Sequence, residues 1–525
     1  MNLTRFAWRQ VWRGALIWAA VAAIVVASGI AAFESAYPTA VSREAFARSI
    51  ARLPAFQALY GRTIGVDTVG GFVTWRYGDL MTVVVGLWAL LAATRILRGD
   101  EETGRAESLL GGAASPRRVL LTELCVVGAG CGLVFLAVAL AAGVGGLPLG
   151  GSLLFGSLVA TGGVVFGAVA AVTSQLVDTR RRAAGWAGAV LGASYLLRAL
   201  ADGSSDLHWL GWLTPLGWAE RIEPFTGPSL VPIAAVAALS AVLVGAAAFL
   251  RERRDTGAGL LGARQHRRRV RPIRSTLALD WSLSTGALVA WSSGVAIAMF
   301  VMGYLTRDIV RFAHDNPAIE DQITKIYGYS MNSAVGFLSL AFGVVALVLA
   351  VFAGAQMVSA REEEAAGRTD TVVVAGTSRA RWLVARIAVA LVAIAALALV
   401  AALGAWAGAN VSGASVGFVD AVEASFNVVP AALLFGGLAV LAFGALPRAT
   451  TYVAFGAAAV AYLIQVVAGL SGAPGWLIDL SPFSHLAPVP ATPVNTGAML
   501  VMLAVALAAS ALGLAAFRRR DLASG

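Results

Sequence analysis

RGDEETGRAESLLGGAASPRR, Arg98–Arg118, is a charged island between two long apolar runs. A second island, REEEAAGRTDTVVVAGTSRAR, Arg361–Arg381, aligns with it without a gap. At an offset of 263, Arg98 meets Arg361, Glu101 meets Glu364, Gly104 meets Gly367, Arg105 meets Arg368, Ser115 meets Ser378 and Arg118 meets Arg381. Asp100 meets Glu363, and Glu107 meets Asp370. Only 13% of the chain is charged, so coincidence is a poor explanation for so many matches. Self-similarity at this period implies two related halves.

Working outward, the surroundings are apolar almost everywhere. The 525 residues are 58% hydrophobic, with a mean hydropathy of +0.78. A soluble protein carries about 25% charged residues. Apolar runs recur at about the 20 residues that a bilayer-spanning helix needs, and the short alternating segments of a β-barrel are missing. The expected fold is therefore an all-α polytopic membrane protein of about twelve transmembrane helices in two homologous six-helix halves. In the first half the spans fall near Leu16–Phe33, Phe72–Ile96, Val119–Val144, Leu153–Leu176, Ala183–Leu200 and Leu230–Leu250. In the second they fall near Thr285–Leu305, Ser333–Val358, Trp382–Trp406, Phe426–Leu446, Thr451–Leu470 and Thr496–Phe517. The domains read as a half over 1–250, a basic linker over 251–274 and a half over 275–525.

The net charge of +10 rests almost wholly on arginine, Lys325 being the only lysine. These arginines sit in short loops, where they fix topology; they do not form a nucleic-acid surface. With both termini inside, 29 of the 39 lysine and arginine residues lie in cytoplasmic segments, as the positive-inside rule requires. Both islands are then cytoplasmic. Arg5, Arg9 and Arg13 share one helical face ahead of the first span, which suits a helix lying in the membrane surface. The run Leu16–Phe33 is long for a secretory signal and lacks a clear cleavage site, so it reads as a retained span.

The residues exclude several chemistries. A P-loop needs a lysine in GxxxxGK[ST], and Lys325 has no such context. No zinc motif or catalytic constellation stands out, so neither a catalytic residue nor a metal ligand is expected. Cys125 and Cys131 are too far apart along one helix to be bridged. Arg76 and Asp79, three apart, are expected to face each other on a helix. Glu123 corresponds to Arg386 at offset 263, which raises the idea of a pair across a pseudo-twofold axis.

Acids contribute little to orientation, so Asp100, Glu101 and Glu102, and Glu362, Glu363 and Glu364, need another reason. Acids near a helix N-terminus favour its dipole. A short acidic helix under each half suits docking on a basic cleft of a partner. On the opposite side, Leu213-Thr214-Pro215-Leu216-Gly217-Trp218 corresponds to Leu480-Ser481-Pro482-Phe483-Ser484-His485 at an offset of 267. Trp209, Trp212, Trp218 and Trp476 crowd these loops, and tryptophan favours the membrane interface.

The pattern Glu101-Glu102-Thr103-Gly104-Arg105-Ala106-Glu107, followed by Ser115-Pro116-Arg117-Arg118, resembles permease subunits of type-2 ABC exporters. The chain is similar over nearly its whole length to the fused twelve-span permeases called exporters of polyketide antibiotics, including tetronasin-type exporters. The second copy keeps Gly367, Arg368 and Asp370 but has Arg379 in place of proline. The resemblance implies the fold of the drug-exporter subfamily and a location in the bacterial inner membrane. It implies that Asp100, Glu101, Glu102, Gly104, Arg105 and Glu107, with Glu363, Glu364, Gly367, Arg368 and Asp370, form coupling helices. These would sit on two copies of a separate ABC ATPase, which would bind the ATP and Mg; this chain needs no cofactor. The loops carrying Trp212, Pro215, Trp218, Trp476 and Pro482 would be re-entrant elements, and the substrate a hydrophobic antibiotic or drug entering from the lipid bilayer. An ion-coupled secondary transporter is the alternative. It also has twelve spans in related halves, but the acidic island does not match the usual motif of that class.

Overall fold

A computed structural model describes residues 3–51, 57, 60–105, 115–203, 205–261, 275–315, 333–374, 376–471 and 475–520. Their contacts divide the chain into Met1–Arg268 and Arg269–Gly525. The first unit contains α1 (Leu3–Ala36), α2 (Val69–Glu102), α3 (Pro116–Val144), α4 (Leu149–Leu176), α5 (Arg180–Gly203) and α6 (Val231–Glu252). The second contains α7 (Thr276–Asp315), α8 (Ala334–Ala365), α9 (Arg379–Ser412), α10 (Phe418–Ala445), α11 (Thr450–Ser471) and α12 (Thr496–Arg519). Short helical turns connect them, and no strand occurs among the described residues.

Ten of these helices are long and apolar enough to cross a membrane, where the sequence leads one to expect twelve. The difference lies in α5 and α11, which are helical where the fifth span of each half is expected. In α5 the apolar run is broken by Arg198 and preceded by Arg180, Arg181 and Arg182, which lowers its apolar character. Side chains at 466–471 of α11 lie outside the described residues.

Packing repeats between the units. In the first, α1 packs on α3, α2 on α4 and α4 on α6; in the second, α7 packs on α9, α8 on α10 and α10 on α12. The second and fourth helices are the inner ones in both, with about two-thirds of their most apolar stretch buried. Small residues allow the close approach: a Cβ on Gly408 of α9 would collide with the Phe300 carbonyl of α7, and one on Gly444 of α10 with the Gly513 carbonyl of α12. The peripheral helices turn apolar side chains outward, among them Ile17, Ile24, Leu500 and Leu507. Such faces are stable only against lipid or other apolar surface. The chain is a multi-pass membrane protein.

Candidate functional site

The two islands fold alike. The second helix of each unit ends in a turn closed by Gly104 N–H on the Glu101 carbonyl (3.1 Å) and by Gly367 N–H on the Glu364 carbonyl (2.9 Å). Gly104 has φ +72° and Gly367 φ +68°, a left-handed conformation that glycine takes at least cost. The next long helix starts in the same way in both. Ser115 and Ser378 each accept a hydrogen bond from the backbone N–H three residues on, at 3.3 Å, as N-caps. Pro116 then occupies the first helical position, where its missing N–H costs nothing. Arg379 takes that place in the second copy and donates to the Arg520 carbonyl at 2.7 Å. The lost proline is thus exchanged for a tie to the end of α12.

The acids divide into buried and exposed. The Glu101 side chain is 3% exposed, which differs from the docking expectation for it. Arg254 grips it with two hydrogen bonds of 2.6 and 2.9 Å. Arg98 approaches to 2.5 Å and Arg251 to 3.1 Å. Arg98, itself fully buried, also donates to the carbonyls of Asp178, Gly257 and Ala258. The end of α2 and the end of α6 with the residues after it therefore converge on one carboxylate, and Arg98 ties in the backbone after α4. Asp100 is also buried, accepting from Gln10 at 2.9 Å and lying 3.4 Å from Arg105. Glu102 is exposed and accepts the Arg180 backbone N–H at 2.6 Å. Thr103, Gly104 and Arg105 are exposed beside it. Glu107 lies outside the described residues.

The second unit follows the same plan with fewer cations. Glu364 is buried and held by Arg520 at 2.6 and 2.8 Å. Arg254 and Arg520 thus play one part, each just beyond the sixth helix of its unit. Glu363 is paired with Arg386, whose Nη2 is 3.0 Å from it and 3.2 Å from the Ser359 hydroxyl. Asp280 is 3.5 Å from the same guanidinium. Arg386 therefore finds its counter-charge within its own unit. Glu123 lies, in the first, in the pocket formed with Glu101, Arg251 and Arg254. Arg368 is exposed, Asp370 half-buried and Gly367 open to its surroundings.

At the opposite end of the first unit lies a buried ion cluster that the sequence reading missed. Arg198 is 2.7 Å from Asp79 and 3.4 Å from Asp202, with the Tyr195 ring 4.7 Å away. Glu220 faces Asp202 and accepts the Arg62 backbone N–H. Burial first, and then the neighbouring Asp202 charge, push the Glu220 carboxyl up to about 7. Asp79 does not pair with Arg76, which lies instead over the Tyr60 ring at 4.2 Å. The reason is a π-helical turn over Thr74–Gly78, whose i→i+5 bonding puts more residues in each turn and rotates residues three apart out of register. The available signal was an arginine inside an apolar helix, which demands a buried partner.

In the adjoining loop Trp212 is exposed and its carbonyl accepts the Trp218 indole N–H at 2.7 Å, while Arg221 lies over the Trp212 ring at 4.3 Å. Pro215 starts the short helix Pro215–Glu220. In the second unit Pro482 starts the turn Pro482–His485, and Trp476 is exposed. Phe483 is buried there, stacked on Phe435 at 5.1 Å. Cys125 and Cys131 are unbridged, the first exposed and the second buried.

Comparison with known proteins gives one family. The model described as "Multidrug efflux system permease Rv1217c, C-terminal domain" matches residues 3–250 and 273–518. The stretch between the matched segments is the arginine-rich linker. A relative from Mycobacterium tuberculosis (strain ATCC 25618 / H37Rv), the multidrug efflux system permease protein Rv1217c, is 33% identical over 497 residues, 94% of this chain and 89% of the relative. A match of that extent, on a scaffold of apolar helices, means that the chain belongs to the Rv1217c family of multidrug efflux system permeases.

Proposed function

We propose that this chain is the membrane-spanning subunit of an ATP-driven ABC exporter of type-2 architecture, which moves hydrophobic antibiotics or drugs outward by alternating access. The observation that carries this reading is the duplicated island, with its buried acid anchoring an exposed turn. Glu101 and Glu364 are the anchors. Glu102 with Arg105, and Glu362 with Arg368, are the exposed charges. A loop that must transmit force needs a rigid root and a surface to push on, and this arrangement has both. The partner is a separate ATPase in two copies, one under each half, and it binds the ATP and Mg. Hydrolysis there moves the islands, and this chain carries out no hydrolysis itself.

Under this reading α5 and α11 are the fifth spans of two six-span halves, and both termini and the islands face the cytoplasm of a bacterial inner membrane. The distribution of arginine supports that orientation. The Trp212–Trp218 and Trp476–His485 segments lie as re-entrant elements at the outer leaflet, where indole rings favour the interface. The buried Asp79 and the half-buried Glu220 beside Arg198 favour one second reading, an ion-coupled secondary transporter.

Affinity purification of the tagged chain from its native membrane tests the first reading. An ABC ATPase co-purifying in two copies is the expected result. Its loss on Glu102→Lys with Arg368→Glu, at unchanged expression, places the contact at the islands. A chain that purifies with no ATPase, yet transports in response to a proton gradient, supports the second reading and overturns the first.

A further inference from the structure

The ion cluster of the first unit has a counterpart in the second with its charges removed. Tyr195-Leu196-Leu197-Arg198 of α5 corresponds to Tyr462-Leu463-Ile464-Gln465 of α11 at an offset of 267. Glu220 corresponds to Ala487 at the same offset, and Asp79 to Phe342 at 263. Where the first unit has a cation and two acids, the second has an amide, a phenyl ring and a methyl group.

The space changes with the chemistry. In the first unit Asp79 and Glu220 line a cavity of about 40 Å³, little more than room for a water molecule or two. In the second, Phe342 and Ala487 line a cavity of about 240 Å³ beneath the Pro482–His485 turn. Among the described residues, none that lines it carries a formal charge. Its walls include the rings of Phe342, Tyr462 and Phe483, the last two meeting edge-on at 5.8 Å. Two of its polar groups are committed to the loop: Asn427 donates to the Ala487 carbonyl at 2.9 Å and Ser339 to the Pro488 carbonyl at 3.0 Å. The Gln465 side-chain oxygen is buried with no hydrogen-bond partner among the described residues. A buried acceptor left unpaired is destabilising, and a ligand that donates to it would remove that cost.

We propose that this cavity binds an uncharged aromatic molecule, or the aromatic arm of a larger one, through a hydrogen bond donated to Gln465 Oε1. A charged ligand would lose its hydration here without a counter-ion. The volume is below the roughly 300–1,000 Å³ of pockets that enclose a whole drug, so an arm of a larger substrate fits better than its entirety. As an account of transport the inference rests on the permease reading and assigns the two halves different work. The second half holds the ligand, and the charge-filled first half is a fixed support.

Photolabelling tests this without ATP or any partner. The full chain, in phosphatidylcholine nanodiscs, is irradiated with a phenol bearing a trifluoromethyl diazirine and digested for mass spectrometry. Label is expected within residues 339–343, 424–428 and 478–489, competed by excess unreactive phenol. The matching segments of the first unit should stay unlabelled. Gly343 lines the cavity and a Cβ there meets nothing within 4 Å, so Gly343→Leu fills the space without a backbone clash and should cut labelling at least tenfold. Gln465→Leu keeps the volume, loses the acceptor and should weaken labelling about fivefold. Label undiminished in both variants, or confined to other segments, overturns the proposal. A labelled cavity in a chain that does not export leaves the site standing and refutes the permease reading alone.

Discussion

Replacing Glu101 with glutamine leaves Arg98, Arg251 and Arg254 around a neutral amide. Removing one member of a buried ion group costs about 3–5 kcal/mol, because the remaining charges stay desolvated. Glu101→Gln should therefore lower the unfolding free energy of the first unit in nanodiscs by about 3 kcal/mol, and Glu101→Lys should prevent its folding. Glu102→Lys, at an exposed position where only the bond from the Arg180 N–H is lost, should cost about 1 kcal/mol. Equal losses at the two positions would contradict the division into anchor and surface. At the other end, Glu220 titrates above its ordinary 4.5 because burial opposes its charge. The folded state then binds more protons than the unfolded one between the two pKa values, so stability falls as pH rises through that window and is level above it. Unfolding midpoints should decline from pH 4.5 towards neutrality, and Glu220→Gln should flatten that decline.

At the scale of the element, the two turns give matched expectations. Gly104 and Gly367 have left-handed backbones with open space around them, so alanine at either should cost about 1–2 kcal/mol through backbone strain alone. Ser115→Ala and Ser378→Ala should each cost about 1 kcal/mol as lost N-caps, seen as similar shifts in thermal unfolding. A large difference between the two serines would mean that the halves are not built alike. Much of this was legible in the sequence: the gapless match of Gly104 to Gly367 and of Ser115 to Ser378 required the same turn and the same helix start. The clamp was not legible, because Arg254 lies 153 residues from Glu101 and looks like any other topology-setting arginine. The Arg76–Asp79 expectation failed for a local reason: a π turn between them changes the phase that the spacing argument assumes.

For the whole molecule, duplication and divergence are separate facts. Each unit repeats the packing of first helix on third, second on fourth and fourth on sixth, so the apolar runs and the repeat were enough to anticipate an all-helical membrane scaffold, though not that ten rather than twelve helices are long and apolar enough to span. They were not enough to anticipate how the halves differ, because that depends on which distant residues meet. Arg198 gathers Asp79 and Asp202, while Gln465 faces a cavity. Energy from a separate ATPase is the central claim, and reconstituted export tests it most directly. The chain, with the ABC ATPase isolated alongside it, is placed in liposomes with a fluorescent hydrophobic drug. Drug movement that requires ATP and is lost on Glu102→Lys with Arg368→Glu is the predicted result. Movement that persists without the ATPase and follows an imposed proton gradient would contradict it.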